Sequence, residues 1–147
     1  MKLVDFLFKG ASFVSIYGRE GTGKTSIAVQ VSKELGPAYY ISTEGQVHLR
    51  LTRARLGEKG MIAYAFTPAE LRVSIAQAVE VGNLNLIVVD AMNSVYRQTW
   101  DLRDLYLPLA FLKSVSEKGI KVLAAWVPSA HNRVVGVVVV WGHISSG

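Results

Sequence analysis

Eight residues stand between a strand-like run and a helix-like one: Gly18-Arg19-Glu20-Gly21-Thr22-Gly23-Lys24-Thr25. Ahead of them, Phe13-Val14-Ser15-Ile16-Tyr17 is short, apolar, and β-branched or aromatic, as a buried strand requires. Behind them, Ile27, Ala28, Val31 and Leu35 recur at helical spacing until Gly36-Pro37 stops the helix. The eight fit G-x-x-x-x-G-K-[ST], a pattern whose mechanism depends on this strand–loop–helix setting. The glycines let successive backbone N–H groups turn onto phosphate oxygens, and the helix start adds its positive dipole end. Lys24 then reaches the β- and γ-phosphates and the Thr25 hydroxyl ligates Mg²⁺. Gly18 through Ser26 therefore read as a nucleoside triphosphate site.

The rest of the chain repeats the same alternation. Strands are expected at Ala38–Ser42, Met61–Phe66, Leu84–Asp90, Ile120–Trp126 and Val134–Trp141. Helices are expected at Lys24–Leu35, Gln46–Leu56, Pro68–Val81 and Leu102–Lys118. Thr67 caps the third of these with Pro68 at its first position, and Gly36, Gly82 and Gly119 sit at helix ends. Pro108 inside the last helix implies a kink or a later start near Leu105. Strands alternating with helices argue an α/β fold with a mostly parallel sheet. At 147 residues, half of them hydrophobic, a single domain with strands covered on both faces is expected.

Composition excludes some chemistry. There is no cysteine, so neither disulfides nor thiolate metal sites can form. The longest apolar run, Val134 to Trp141, is too short to cross a bilayer. Leu3, Val4, Phe6, Leu7 and Phe8 imitate a signal peptide, but Lys9 interrupts them and the loop follows at once, so they read as the first piece of the domain. A cytoplasmic protein without membrane association is expected. A formal charge of +5 is compatible with nucleic acid without pointing to a site.

Two carboxylates stand out. Leu86-Ile87-Val88-Val89-Asp90 is an apolar strand ending in an acid, which beside a phosphate loop orients Mg²⁺ or its water; a strand-terminal turn residue is the plainer reading. Tyr40-Ile41-Ser42-Thr43-Glu44-Gly45 delivers a second acid to the same sheet edge, where Glu44 could polarise an attacking water. Thr43 and Glu44 equally suit the cap of the following helix.

The loop, the Tyr40–Gly45 corner, the continuation Val47-His48-Leu49-Arg50-Leu51 and the stretch Leu86–Arg97 together resemble the ATPase core of the RecA/RadA recombinase superfamily, with archaeal RadA paralogues such as RadB and the KaiC-like ATPases as the nearest subgroups. The resemblance spans roughly residues 10–126. It implies a P-loop NTPase of RecA-like three-layer sandwich form, ATP as the nucleotide, and Glu44 as the catalytic glutamate, with Ser42 where the family has Asp. The family follows its second acid with Ser-x-x-x-x-Tyr-Arg; here Asp90 is followed by Ala91, and the stretch closes on Tyr96-Arg97.

Departures from that pattern bear on function. The family ends the strand matching Lys121–Trp126 in an Asn-Gln pair whose Gln senses the γ-phosphate; this chain has Ala125-Trp126-Val127-Pro128. The second DNA-binding loop is reduced to about Ser129–Arg133, the first also looks shortened, and no polymerisation segment is expected before the core. Independent strand exchange is therefore not expected.

Arg97, Trp100 and Arg103 interleave cations with an aromatic ring, a pattern of single-strand binding, although Tyr96 and Trp100 also suit packing. Arg133 and His131 suit DNA, a neighbouring subunit's nucleotide or a plain surface turn. Arg50, Arg53, Arg55 and Lys59 suit a solvated helix face or a contact to a nucleic-acid phosphate backbone. His48 and His143 have no metal-ligand spacing and receive no role. Trp126 and Trp141 read as core.

The function expected from these residues is a Mg²⁺-dependent ATPase of low activity, a recombinase paralogue assisting DNA recombination or repair, with Lys24 and Glu44 catalytic and Thr25 and Asp90 on the metal. Its partners would be ATP, a recombinase or paralogue protein, and weakly bound single-stranded DNA at Arg97, Arg103 and Arg133. The alternative is an ATP-bound docking module without turnover. A small-molecule kinase fits less well, since its arginine-bearing lid has no counterpart beyond the Arg50–Lys59 stretch.

Overall fold

The run Leu86–Val89 has no polar face, and the fold buries it on both sides. The computed structural model describes residues 2–19, 21–58, 60–128 and 137–141. In chain order the elements are α1 (Leu3–Phe8), β1 (Phe13–Tyr17), α2 (Lys24–Leu35), β2 (Ala38–Ser42), α3 (Gln46–Leu56), β3 (Met61–Tyr64), α4 (Pro68–Val81), β4 (Leu86–Asp90), α5 (Tyr96–Thr99), α6 (Arg103–Glu117), β5 (Lys121–Trp126) and β6 (Val138–Trp141). The six strands form one sheet in the order β3-β2-β4-β5-β1-β6. All neighbours are parallel except β6, which runs antiparallel to β1.

Alternation along the central strands splits the core into two layers, one on each face. Ile87 and Val89 of β4, with Ile41, Val122 and Ala124, pack beneath α4 and α6 around Leu71, Ile75 and Leu112. Leu86 and Val88, with Val14, Ile16, Leu123 and Ala125, pack beneath α1 and α2 around Leu7, Phe8, Ala28 and Val31. Each such buried aliphatic side chain contributes about 1.5–3 kcal/mol. The result is a helix–sheet–helix sandwich. Among the described residues no helix is long and apolar enough to cross a membrane.

The N-terminal apolar run is a packed helix. Val4, Leu7 and Phe8 are buried, and the Glu34 carboxylate accepts from the Leu3 and Val4 amides at 3.2 and 2.8 Å. At the other end of the sheet Trp141 Nε1 donates to the Leu7 carbonyl at 2.5 Å, which ties β6 to α1. Trp126 is half-buried and stacks on Tyr17, its register partner, with ring centroids 5.6 Å apart.

Several boundaries differ from expectation. Strand β3 ends at Tyr64, and Phe66 is exposed beside the cap of α4, where Thr67 and Glu70 form a reciprocal capping box. Strand β4 begins at Leu86, two residues later than expected. The helix expected over Leu102–Lys118 starts at Arg103 and runs through Pro108 rather than starting near Leu105. Pro108 gives up one amide donor there, and the apolar face through Leu112 and Val115 holds the helix together. Residues 134–136 of the expected last strand lie outside the described residues.

Candidate active site at the carboxyl edge of the sheet

The parallel strands deliver their carboxyl ends to one edge, where open α/β sheets place their ligand crevices. There β1 runs into the loop. The Gly18 amide bonds to the Trp126 carbonyl at 3.2 Å, and Thr22 turns back onto the Arg19 carbonyl through its amide (3.2 Å) and its hydroxyl (2.6 Å). Gly21 and Gly23 take φ values of +80° and +100°, which side chains with a Cβ rarely adopt. Lys24 opens α2 and is almost wholly buried. Glu20 lies outside the described residues.

Asp90 does not sit on the strand next to the loop strand. β5 intervenes between β4 and β1, and the gap is spanned by Thr25 in the first turn of α2, whose Oγ1 donates to Asp90 Oδ2 at 3.0 Å. Asp90 is 1% exposed. Its Oδ2 also accepts from the buried Tyr40 hydroxyl at 2.6 Å. Burial, then the neighbouring Asp90 charge, pushes the Tyr40 phenol well above its usual pKa. Thr25 and Asp90 are hard oxygen donors held side by side, a donor set that suits Mg²⁺.

The corner carrying Glu44 is fastened to the end of β4. Thr43 does not cap α3: its hydroxyl accepts from the Ala91 amide and donates to the Ala91 carbonyl, and Gly45 takes the N-cap position. The Asp90–Ala91 peptide is cis. Glu44 projects into the cleft, where its Oε1 accepts from Ser94 Oγ at 3.0 Å. The cleft has a volume of about 550 Å³, and Lys24, Thr25, Glu44 and Asp90 all line it.

Four lining residues, all on α3, were not expected. His48, assigned no role from its sequence spacing, extends from α3 so that Nε2 lies 3.0 Å from Thr25 Oγ1 and 3.8 Å from Asp90 Oδ2. Its partners are 23 and 42 positions away in the chain, so no local pattern could reveal it. Arg55, expected on a solvated face or against a nucleic-acid backbone, donates Nη2 to Ser26 Oγ at 2.8 Å behind the loop. Val47, His48, Leu51 and Arg55 fall on one helical face, and that face is a wall of the cleft.

The residues expected near DNA are not gathered at this cleft. Arg97 points back into the fold, donating Nη2 to the Val127 carbonyl at 2.7 Å, where Asn93 bonds the same carbonyl and the Val127 amide. Arg103 is exposed and paired with Asp101 at 2.8 Å. Trp100 is also exposed, edge-on to Tyr96. Arg133, His131 and His143 lie outside the described residues.

The architecture is similar to that of a KaiC-like protein from the hyperthermophilic archaeon Pyrococcus horikoshii OT3, with a TM-score of 0.60 over 87% of this chain and 70% of that one. The fold is RecA-like. At 18% identity the similarity carries the fold alone, and it does not single out the RadA paralogues. No protein-family model and no curated protein matches the chain. The α/β three-layer sandwich with its mostly parallel sheet stands as the sequence led one to expect.

Proposed function

We propose that this chain binds ATP with Mg²⁺ in the carboxyl-edge cleft and hydrolyses it slowly. The observation that carries the reading is the 3.0 Å bond from Thr25 to Asp90 directly behind the glycine loop, with Glu44 facing the same cleft. The loop amides and the start of α2 are the phosphate cradle, and the Lys24 ammonium offsets charge on the β- and γ-phosphates. Mg²⁺, held by Thr25 with Asp90 behind it, supplies charge neutralisation at the phosphate oxygens when bound. Glu44 positions the attacking water and takes up its proton, with Ser94 fixing the carboxylate. Turnover is slow because β5 ends at Trp126 and continues into Val127-Pro128, without the Asn-Gln pair.

The further role, assistance to DNA recombination or repair as a recombinase paralogue, is supported by the Thr43–Gly45 corner and the Asp90–Arg97 stretch. A second reading, an ATP-bound docking module for a recombinase or other protein, is favoured by one feature. Val127, just past β5, is clamped by Asn93 and Arg97, so the segment that would relay a γ-phosphate signal is fastened to the fold.

Steady-state ATP turnover with Mg²⁺, with and without single-stranded DNA, tests both readings. The expected result is low turnover that Lys24→Ala and Glu44→Gln abolish, and stimulation by DNA marks the recombination role. Tight ATP binding without turnover selects the docking module, and ATP affinity unchanged in Lys24→Ala overturns the site.

A further inference from the structure

Three lone-pair atoms from three separate elements converge at the floor of the cleft. Thr25 Oγ1 comes from α2, His48 Nε2 from α3 and Asp90 Oδ2 from β4. Oγ1 lies 3.0 Å from each of the other two, and Nε2 lies 3.8 Å from Oδ2. Around an octahedral cation with bonds of about 2.1 Å, cis donors stand about 3.0 Å apart and trans donors about 4.2 Å. The Oγ1–Nε2 separation is a cis edge. Nowhere among the described residues do three His, Asp or Glu side chains gather, so the Thr25 hydroxyl is indispensable to any such sphere.

The far side of the imidazole is also provided for. Nδ1 lies 3.4 Å from Ser42 Oγ, at the end of β2 beside Asp90 in the sheet register. An Nδ1–H aimed at Ser42 leaves the Nε2 lone pair facing the cleft, and metal-bound histidines are usually oriented by such a second contact. In that tautomer the Thr25 proton goes to Asp90, and a cation can use the Nε2 lone pair and one on Thr25 while the Thr25–Asp90 bond persists. In the other tautomer Nε2–H donates to Thr25 Oγ1 and the ring is satisfied without an ion. The His48 side chain is 28% exposed, so an ion can reach it.

We propose that His48 Nε2 is an inner-sphere ligand of the cation in this cleft, cis to Thr25, and that the site consequently favours a first-row divalent transition ion over Mg²⁺. The inference rests on the nucleotide reading above and replaces Mg²⁺ there with a transition ion as the preferred metal. Mg²⁺ holds to oxygen donors and gains little from an imidazole, whereas affinity of nitrogen-containing sites rises from Mn²⁺ to Co²⁺ and beyond. Asp90 stays one step out, accepting from Thr25 and Tyr40 and facing a metal-bound water.

Two measurements on the whole chain test this. In the first, protein carrying ¹⁵N-histidine is loaded with Mn²⁺ and ADP and examined by electron spin-echo envelope modulation. A ¹⁵N-histidine coupling is expected in the wild type, and its loss in a folded His48→Gln variant assigns it. In the second, a fluorescent ADP analogue reports nucleotide affinity with Co²⁺ and with Mg²⁺. The Co²⁺-over-Mg²⁺ preference should fall on the order of tenfold in His48→Gln. Nucleotide binding with either ion but no histidine coupling in the wild type overturns the inference and leaves the nucleotide reading standing. Absence of nucleotide binding with every ion overturns both.

Discussion

The Thr43 hydroxyl closes on Ala91 from both sides, accepting from its amide and donating to its carbonyl, each at 2.7 Å. The Thr43 amide adds a bond to the Asp90 carbonyl at 2.8 Å. The two candidate carboxylates, Glu44 and Asp90, thus each stand one residue from the same clasp, and their spacing is set by it rather than by the loop. A preorganised pair of this kind is what positioning a water against a metal-bound phosphate demands.

Replacing Thr43 by Val keeps the shape and removes both hydroxyl bonds. The Ala91 amide and carbonyl lie in a fully buried residue and would lose their partner together. The expected loss is about 2–4 kcal/mol in urea unfolding, with ATP turnover falling alongside, while Thr43→Ser retains most of both. A Val variant as stable as the wild type would show that the clasp does not hold the edge.

Tyr40 bears on Asp90 from below. Tyr40→Phe removes the 2.6 Å bond to Asp90 together with the hydroxyl's interaction with Thr25, so at neutral pH it should cost about 1.5–3 kcal/mol, the range for a hydrogen bond to a charged group. Burial and the Asp90 charge raise the folded phenol well above its unfolded value near 10. Its contribution is therefore complete below pH 10 and is lost as pH rises through the higher folded pKa. Unfolding free energies measured above pH 10 should fall more steeply in the wild type than in Tyr40→Phe. Parallel curves would refute the assignment of that titration to Tyr40.

The helices and strands were legible wherever local chemistry punctuates them. Gly36 ends α2, Gly82 ends α4 and Thr67-Pro68 starts it, whereas α3 is capped by Gly45 and not by Thr43 or Glu44. The cleft was legible only in part. Lys24, Thr25, Glu44 and Asp90 belong to patterns with their own periodicity. His48 and Arg55 acquire their places only when α3 lies beside α2 and β2 pairs with β4, relationships set by sheet order and not by neighbours in the chain. At Arg97–Arg103 the interleaved cations and ring say nothing of internal partners either. Nothing in the sequence says that Val127 offers Arg97 a carbonyl.

That contact makes Arg97 separable from a DNA role. Arg97→Ala should lower stability by about 1 kcal/mol, the ordinary value of one internal hydrogen bond, through loosening of the Val127 segment. Thermal unfolding checks this directly. If instead stability is untouched while the salt dependence of single-strand binding becomes shallower, the guanidinium serves phosphate and the internal bond is incidental.

Thr52 offers a test in the opposite direction. It lies one turn beyond His48 on α3, only 1% exposed, and its hydroxyl has no hydrogen-bond partner among the described residues. A desolvated hydroxyl without a partner is a standing penalty, and Val matches its shape and its helix propensity. Thr52→Val should therefore raise stability by about 1 kcal/mol, seen as a higher urea midpoint with an unchanged slope. Because the change leaves the Nε2 and Nδ1 contacts of His48 untouched, the metal preference of the cleft should not move with it. A loss of stability would mean that a buried water completes the hydroxyl, and the neighbouring helix turn would then be hydrated rather than dry.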